Sequence, residues 1–128
     1  MAYEVLFLIG RILVGGYYIM NGFNHFTKSK MLVGYAKSKN VPLPMLAVIV
    51  SGLLIFFGGL SLLLGIYPVV GITMIVVFLF FVTLFMHRFW HAPKEQKQIE
   101  MVNFMKNLAL LGSTLMFLMI SMPWSFSL

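Results

Sequence analysis

The sequence predicts an all-α membrane protein, a four-transmembrane-helix bundle arranged as two parallel helical hairpins. Three observations predict it. The 128 residues are 61% hydrophobic and only 9% charged, whereas a soluble domain carries about 25% charged residues. A chain this short has a large surface for its volume, and so few charges cannot make that surface compatible with water. The mean hydropathy is +0.99. Finally, nothing charged occurs between Lys39 and Arg88, a stretch with room for two spans of about 20 residues and a tight turn. A soluble globular domain, a disordered chain and a fibrous chain are all excluded on this composition. Barrel strands would alternate in polarity, and runs such as Met74–Val82 do not. The whole chain, 1–128, reads as a single transmembrane domain.

The elements follow in order. A first helix is expected at about 3–24, carrying Arg11 within its apolar run. It opens with Glu4 rather than a basic segment and is followed by no small-residue cleavage site, so it reads as a retained span and not a signal peptide. Met31, Leu32, Tyr35 and Ala36 then share a face opposite Lys30 and Lys37, which predicts a short helix lying on the membrane surface. Asn40-Val41-Pro42-Leu43-Pro44 ends it. The second span is expected at about 44–65 and the third at about 69–88. They are separated at Gly65-Ile66-Tyr67-Pro68, where glycine can end one helix and proline open the next. The fourth span is expected at about 100–122. Gly15, Gly22, Gly52 and Gly59 are read as small residues that let helix backbones approach in lipid.

The nine basic residues set an orientation. All but Arg11 and Lys106 lie in or beside two loops, about 25–43 and 89–99, on one side of a four-helix arrangement. The positive-inside rule makes those loops cytoplasmic and both termini external, in a multi-pass plasma (inner) membrane protein. The net charge of +6 is thus a topology signal, and nucleic acid is not the partner it implies. The expected partners are the lipid bilayer and another membrane or redox protein or a second copy of the chain. There are no cysteines, so a thiol relay is excluded and any electron must travel on a bound cofactor or a partner.

Polar residues inside apolar spans are costly and therefore informative. Arg11 shares a face with Gly15, Tyr18 and Gly22. It has two readings: a structural pair to Glu4 or to helix carbonyls, or an anchor for an anionic or carbonyl-bearing ligand. A second group gathers near the basic end: Asn21, His25, His87, His91, Asn103, Lys106 and Asn107, with Trp90 beside them. His87 and His91 are spaced i,i+4, and with His25 they are weak candidates for a metal site; no Asp lies near and only Glu95 and Glu100 are available. A pocket for a quinone head group suits the chemistry better, with His87 and Lys106 as donors and Phe78, Phe80, Phe81 and Phe85 as walls. Helix–helix contact alone is the alternative.

The chain also resembles a known family. Gly10-Arg11 with Gly15 and Gly22 stands in the first helix, and Val41-Pro42-Leu43-Pro44 precedes a glycine-rich second helix ending Leu62-Leu63-Leu64-Gly65. His87-Arg88-Phe89-Trp90 is followed by Asn103-Phe104-Met105-Lys106-Asn107-Leu108-Ala109-Leu110-Leu111-Gly112. Together these resemble the DoxX family of small four-helix membrane proteins, over nearly the whole chain. The resemblance implies the same four-helix fold. It marks Arg11, Gly22, His87, Phe89, Trp90, Lys106 and Asn107 as family-pattern positions. The family takes its name from a thiosulfate:quinone oxidoreductase subunit, other members look like parts of membrane redox complexes, and distant relatives look like assembly factors. The resemblance therefore implies an accessory subunit of a quinone-linked redox system, with quinone as the cofactor. Its alternatives are a non-catalytic assembly scaffold or a small-solute transporter using Arg11. A lone bundle without a soluble catalytic domain would need a partner for turnover.

Overall fold

The computed structural model describes all residues from 1 to 128, and it is entirely helical. Five α-helices follow in order: α1 (Ala2–Thr27), α2 (Ser29–Ser38), α3 (Pro44–Leu64), α4 (Pro68–Met86) and α5 (Lys94–Met116). Single 3₁₀ turns occupy Phe89–His91 and Phe117–Met119. Four of the helices, α1, α3, α4 and α5, are long and apolar enough to cross a bilayer. The fold is a four-helix membrane bundle with one additional short helix, α2, at its basic end.

The long helices pack in sequence, α1 on α3, α3 on α4 and α4 on α5. The first contact is built from glycine. Gly15 faces Gly59, and Gly22 faces Gly52, each pair on antiparallel helices and each spaced by two turns. A methyl group on Gly22 would lie 2.6 Å from Phe56 Cβ, and one on Gly59 would lie 2.8 Å from the Gly15 carbonyl oxygen. The backbones are therefore as close as glycine permits, which in lipid is how helices gain van der Waals contact without a hydrophobic drive. Gly16 and Gly10 face open space and take no part.

The α3/α4 hairpin turns on Gly65, whose φ of 72° is a left-handed conformation that suits glycine. Ser61 fastens this turn, its hydroxyl donating to the carbonyls of Ile66 at 2.6 Å and Tyr67 at 3.1 Å. Near the turn the two helices are pinned together, Gly58 against Ile75 and Gly71 against Ser61. Ile55, Leu62, Ile72, Ile75 and Leu79 form the buried seam between them.

Several helix ends differ from the sequence reading. α1 continues past 24 to Thr27, and α2 begins two residues later, so the expected first loop is mostly helix. α4 stops at Met86, not 88; His87 leaves helical geometry and the chain bends back through Phe89–His91 to reach Pro93. α5 begins at Lys94, six residues before the expected 100, because charged residues are good helix formers and do not mark a boundary. At its other end regular helix stops at Met116, short of the expected 122. The last residues fold back over the bundle so that Trp124 is buried, and its ring meets the edge of Phe7 at 5.2 Å. Leu128 N–H completes this cap by donating to the Leu64 carbonyl at 3.0 Å.

Candidate functional site

Arg11 stands at the terminal end, under that cap, and is only 4% exposed. Nε donates to the Leu62 carbonyl at 3.0 Å and an Nη to Leu63 at 2.9 Å. The other Nη reaches the Ser125 carbonyl. The last carbonyls of a helix have no intrahelical partners and carry the negative end of its dipole, so a guanidinium fork meets both needs of α3 at once. Phe7 and Trp124 cover its faces with the guanidinium carbon 5.5 and 5.7 Å from their ring centres. Glu4 takes no part; it faces the N-terminal ammonium at 3.9 Å.

The opposite, basic end is organised by a carboxylate. Glu100 on α5 is 4% exposed and receives three groups. The Tyr35 hydroxyl donates to it at 3.0 Å, Lys39 Nζ lies at 3.3 Å, and His87 Nδ1 lies at 3.2 Å. A buried charge must be paired in this way. These contacts tie α2, α4 and α5 together, and Arg88 adds a hydrogen bond to the Lys39 carbonyl at 3.0 Å. Burial, reinforced by the Glu100 hydrogen bond, pushes the Tyr35 hydroxyl up to about 12. A carboxylate only accepts, so the Nδ1 of His87 carries the proton and Nε2 of the neutral ring is left as an acceptor.

Two cavities adjoin this hub. The larger, about 530 Å³, lies between α2, α3 and α4 where the hairpin spreads away from its pinned turn. Leu32, Tyr35 and Ala36 of α2 roof it, Val48, Ser51 and Leu54 form the α3 wall, and Phe78, Phe81 and Phe85 form the α4 wall. Val50, Phe81 and Phe85 are exposed, so it opens sideways between α3 and α4, at membrane depth. The smaller, about 200 Å³, fills the gap between α1 and α5, which barely meet. It is lined by Tyr17, Tyr18 and Asn21 on one side and by Asn103, Lys106 and Asn107 on the other. Phe78, Val82 and His87 line both cavities and form their common wall.

The residues singled out from the sequence therefore fall into distinct places. Tyr18, Asn21, His87, Lys106 and Asn107 share the polar cavity, and His25 looks into the apolar one with His87. The His25 ring also donates through Nδ1 to the Asn21 carbonyl at 2.7 Å. Trp90 lines neither cavity and packs on Phe89 and Phe104 at 5.2 and 5.5 Å. Arg11 is at the far end of the bundle. Because α4 ends early, His87 and His91 do not share a helical face; His91 is exposed in the 3₁₀ turn, and no three His, Asp or Glu side chains gather as a metal site. Phe80 points away from the cavity that Phe78, Phe81 and Phe85 line. The sequence pattern does not reveal the central position of Glu100, nor Tyr35 and Lys39 as its partners. The signal is there in part, since Glu100 is the last acid before an apolar run.

Comparison with known proteins gives concordant results. The family model DoxX matches residues 6–88. The chain is similar to the inner membrane protein YphA of Escherichia coli (strain K12), 28% identical over 127 residues, which covers 99% of this chain and 90% of that protein. No solved structure matches. With more than half of its length matched by the family model and its four apolar helices packed as a bundle, this chain belongs to the DoxX family.

Proposed function

We propose that the basic end of the bundle binds a membrane-soluble quinone and that the protein acts as an accessory subunit of a quinone-linked redox system in the inner membrane. The observation that carries this reading is the meeting of two unlike cavities at His87, one apolar and one polar. A quinone is itself two unlike parts, a ring with two carbonyl acceptors and an apolar tail. The apolar cavity lies within the range of volumes that hold drug-sized ligands, about 300–1,000 Å³. Its phenylalanine walls suit a planar ring or an isoprenoid segment. Its lateral mouth admits a ligand that arrives by diffusion in the bilayer. Lys106, Asn107, Asn103 and Asn21 line the polar cavity and supply donors to a head group placed there. The chain has no cysteine with which to carry electrons itself, so a partner subunit delivers or removes them.

Retained quinone in protein purified in mild detergent tests this, followed by titration with an isoprenyl benzoquinone. Lys106→Ala is expected to weaken binding about tenfold or more, the worth of a hydrogen bond from a charged group. His87, expected from the sequence to be a donor, gives its Nδ1 proton to Glu100 and leaves Nε2 as an acceptor. His87→Ala is therefore expected to act only by opening the wall between the cavities. Trp90→Ala, outside both cavities, is expected to leave binding unchanged. Protein that retains no quinone and shows no saturable affinity overturns the reading; a co-purifying membrane protein in its place would favour the assembly-scaffold alternative. The orientation belongs to the same proposal, with the basic end cytoplasmic under the positive-inside rule. Since the chain has no cysteine, Lys37→Cys provides a unique label, expected to react only after the inner face is opened.

A further inference from the structure

The polar cavity holds a cation without an internal counter-charge. The chain has three acidic residues, and each is placed elsewhere. Glu4 faces the N-terminus at the other end of the bundle. Glu100 is engaged by Tyr35, Lys39 and His87. Glu95 lies in the first turn of α5, three turns before Lys106 and therefore about 16 Å away along the axis. Lys106 makes no salt bridge. It sits on α5 at the outer edge of the cavity, within an apolar span, where an unpaired ammonium is expensive.

Tyr18 also lines this cavity from α1, but its hydroxyl is covered and lies at Thr114 of α5, so it is not a donor to the cavity. Asn103 and Asn107 stand beside Lys106 on the same helix and can supply amide N–H donors. His87, by contrast, spends its Nδ1 proton on Glu100 and offers the lone pair of Nε2, which suits a neutral partner on the wall side and not an anion.

We infer that the polar cavity selects a head group bearing a negative charge on oxygen, with Lys106 as its counter-charge and the Asn103 and Asn107 amides beside it as neutral donors. This rests on the quinone reading and narrows it: among quinone-like ligands, the site favours those with an ionised ring hydroxyl over those with carbonyl oxygens alone. A neutral quinone can accept hydrogen bonds from the same donors, but only the oxyanion also cancels the ammonium charge within the apolar span.

The test uses the full chain in detergent and two probes that differ by charge and one methyl group: an alkyl hydroxynaphthoquinone at a pH where its hydroxyl is ionised, and the methyl ether of the same compound. The wild type is expected to bind the ionised probe about tenfold more tightly or better. Lys106→Gln keeps a donor and removes the charge; it is expected to abolish that preference while the methyl ether binds as before. Equal binding of the two probes to the wild type overturns the charge preference and leaves the quinone reading standing. A preference that survives Lys106→Gln overturns the role of Lys106. Binding of neither probe overturns both readings. Lys106 is exposed on its helix, so its substitution leaves the packing of the bundle intact.

Discussion

His87 Nδ1 and Glu100 Oε2 lie 3.2 Å apart, joining the last residue before the α4–α5 bend to the second turn of α5. The pair fixes the ring that divides the two cavities, so the carboxylate behind the wall sets the shape of the space in front of it. The same carboxylate holds Tyr35 and Lys39, the hydroxyl and the ammonium that keep α2 over the apolar cavity.

Glu100→Ala is therefore expected to cost about 3 kcal/mol, since removing one partner of a buried charge cluster leaves the others uncompensated. Glu100→Gln keeps an acceptor for Tyr35 and is expected to cost less. Thermal unfolding in detergent measures the difference. Faster proteolysis at Lys37 and Lys39 in the alanine variant would show that α2 has come loose, and unchanged cleavage would refute its fastening by Glu100.

Tyr35 gives this fastening a pH dependence. Its hydroxyl titrates near 10 in the unfolded chain and at about 12 when folded. A group whose folded value is raised contributes stability in full below its unfolded value. Between about 10 and 12 the unfolded chain has lost the proton and the folded one has kept it, so stability falls with rising pH across that window. The wild type should lose resistance to unfolding there, with tyrosinate absorbance following the same curve. Tyr35→Phe should flatten the part that belongs to this residue.

At the α1/α3 contact, Gly22→Val is expected to destabilise the bundle by about 1–3 kcal/mol through overpacking against Phe56 and Gly52. Gly16→Ala, on the same helix but facing open space, is expected to be neutral or to gain up to about 1 kcal/mol from helix propensity. Equal effects of the two substitutions on detergent unfolding would show that close approach does not govern this interface.

Arg11→Lys should free the C-terminal cap. A lysine cannot span the Leu62, Leu63 and Ser125 carbonyls with one fork. In a Trp90→Phe background, Trp124 is the remaining tryptophan, and its emission is expected to shift to the red as the ring leaves its buried place. Ligand binding at the basic end should not change, because Arg11 is at the other end of the bundle.

Much of the fold is legible in the amino-acid sequence. Glycine at seven-residue spacing in two spans, proline at the starts of α3 and α4, and the amphipathic pattern of α2 each specify a local geometry through backbone sterics or helix periodicity. Arg11 has two readings on sequence because an arginine in an apolar span announces only that it needs acceptors. The carbonyls it uses are 51 and 52 residues away for Leu62 and Leu63, and 114 for Ser125, and no periodicity encodes such a distance. The early end of α4 is hidden for a similar reason. His87 and His91 have helical spacing, but the chain must bend there for α5 to return along α4.

What the sequence determined by itself is the solvent and the number of crossings. Burial of apolar surface in lipid and the cost of charge there act residue by residue, so composition and the placement of charges suffice. What only the tertiary structure decided is which of the costly polar groups are satisfied. Arg11 and Glu100 proved to be paired within the chain, while Lys106 stands at a cavity without an internal counter-charge. That difference depends on contacts between helices distant in sequence. It arises because α1 packs on α3 and α4 on α5, leaving a gap between α1 and α5 that no side chain fills.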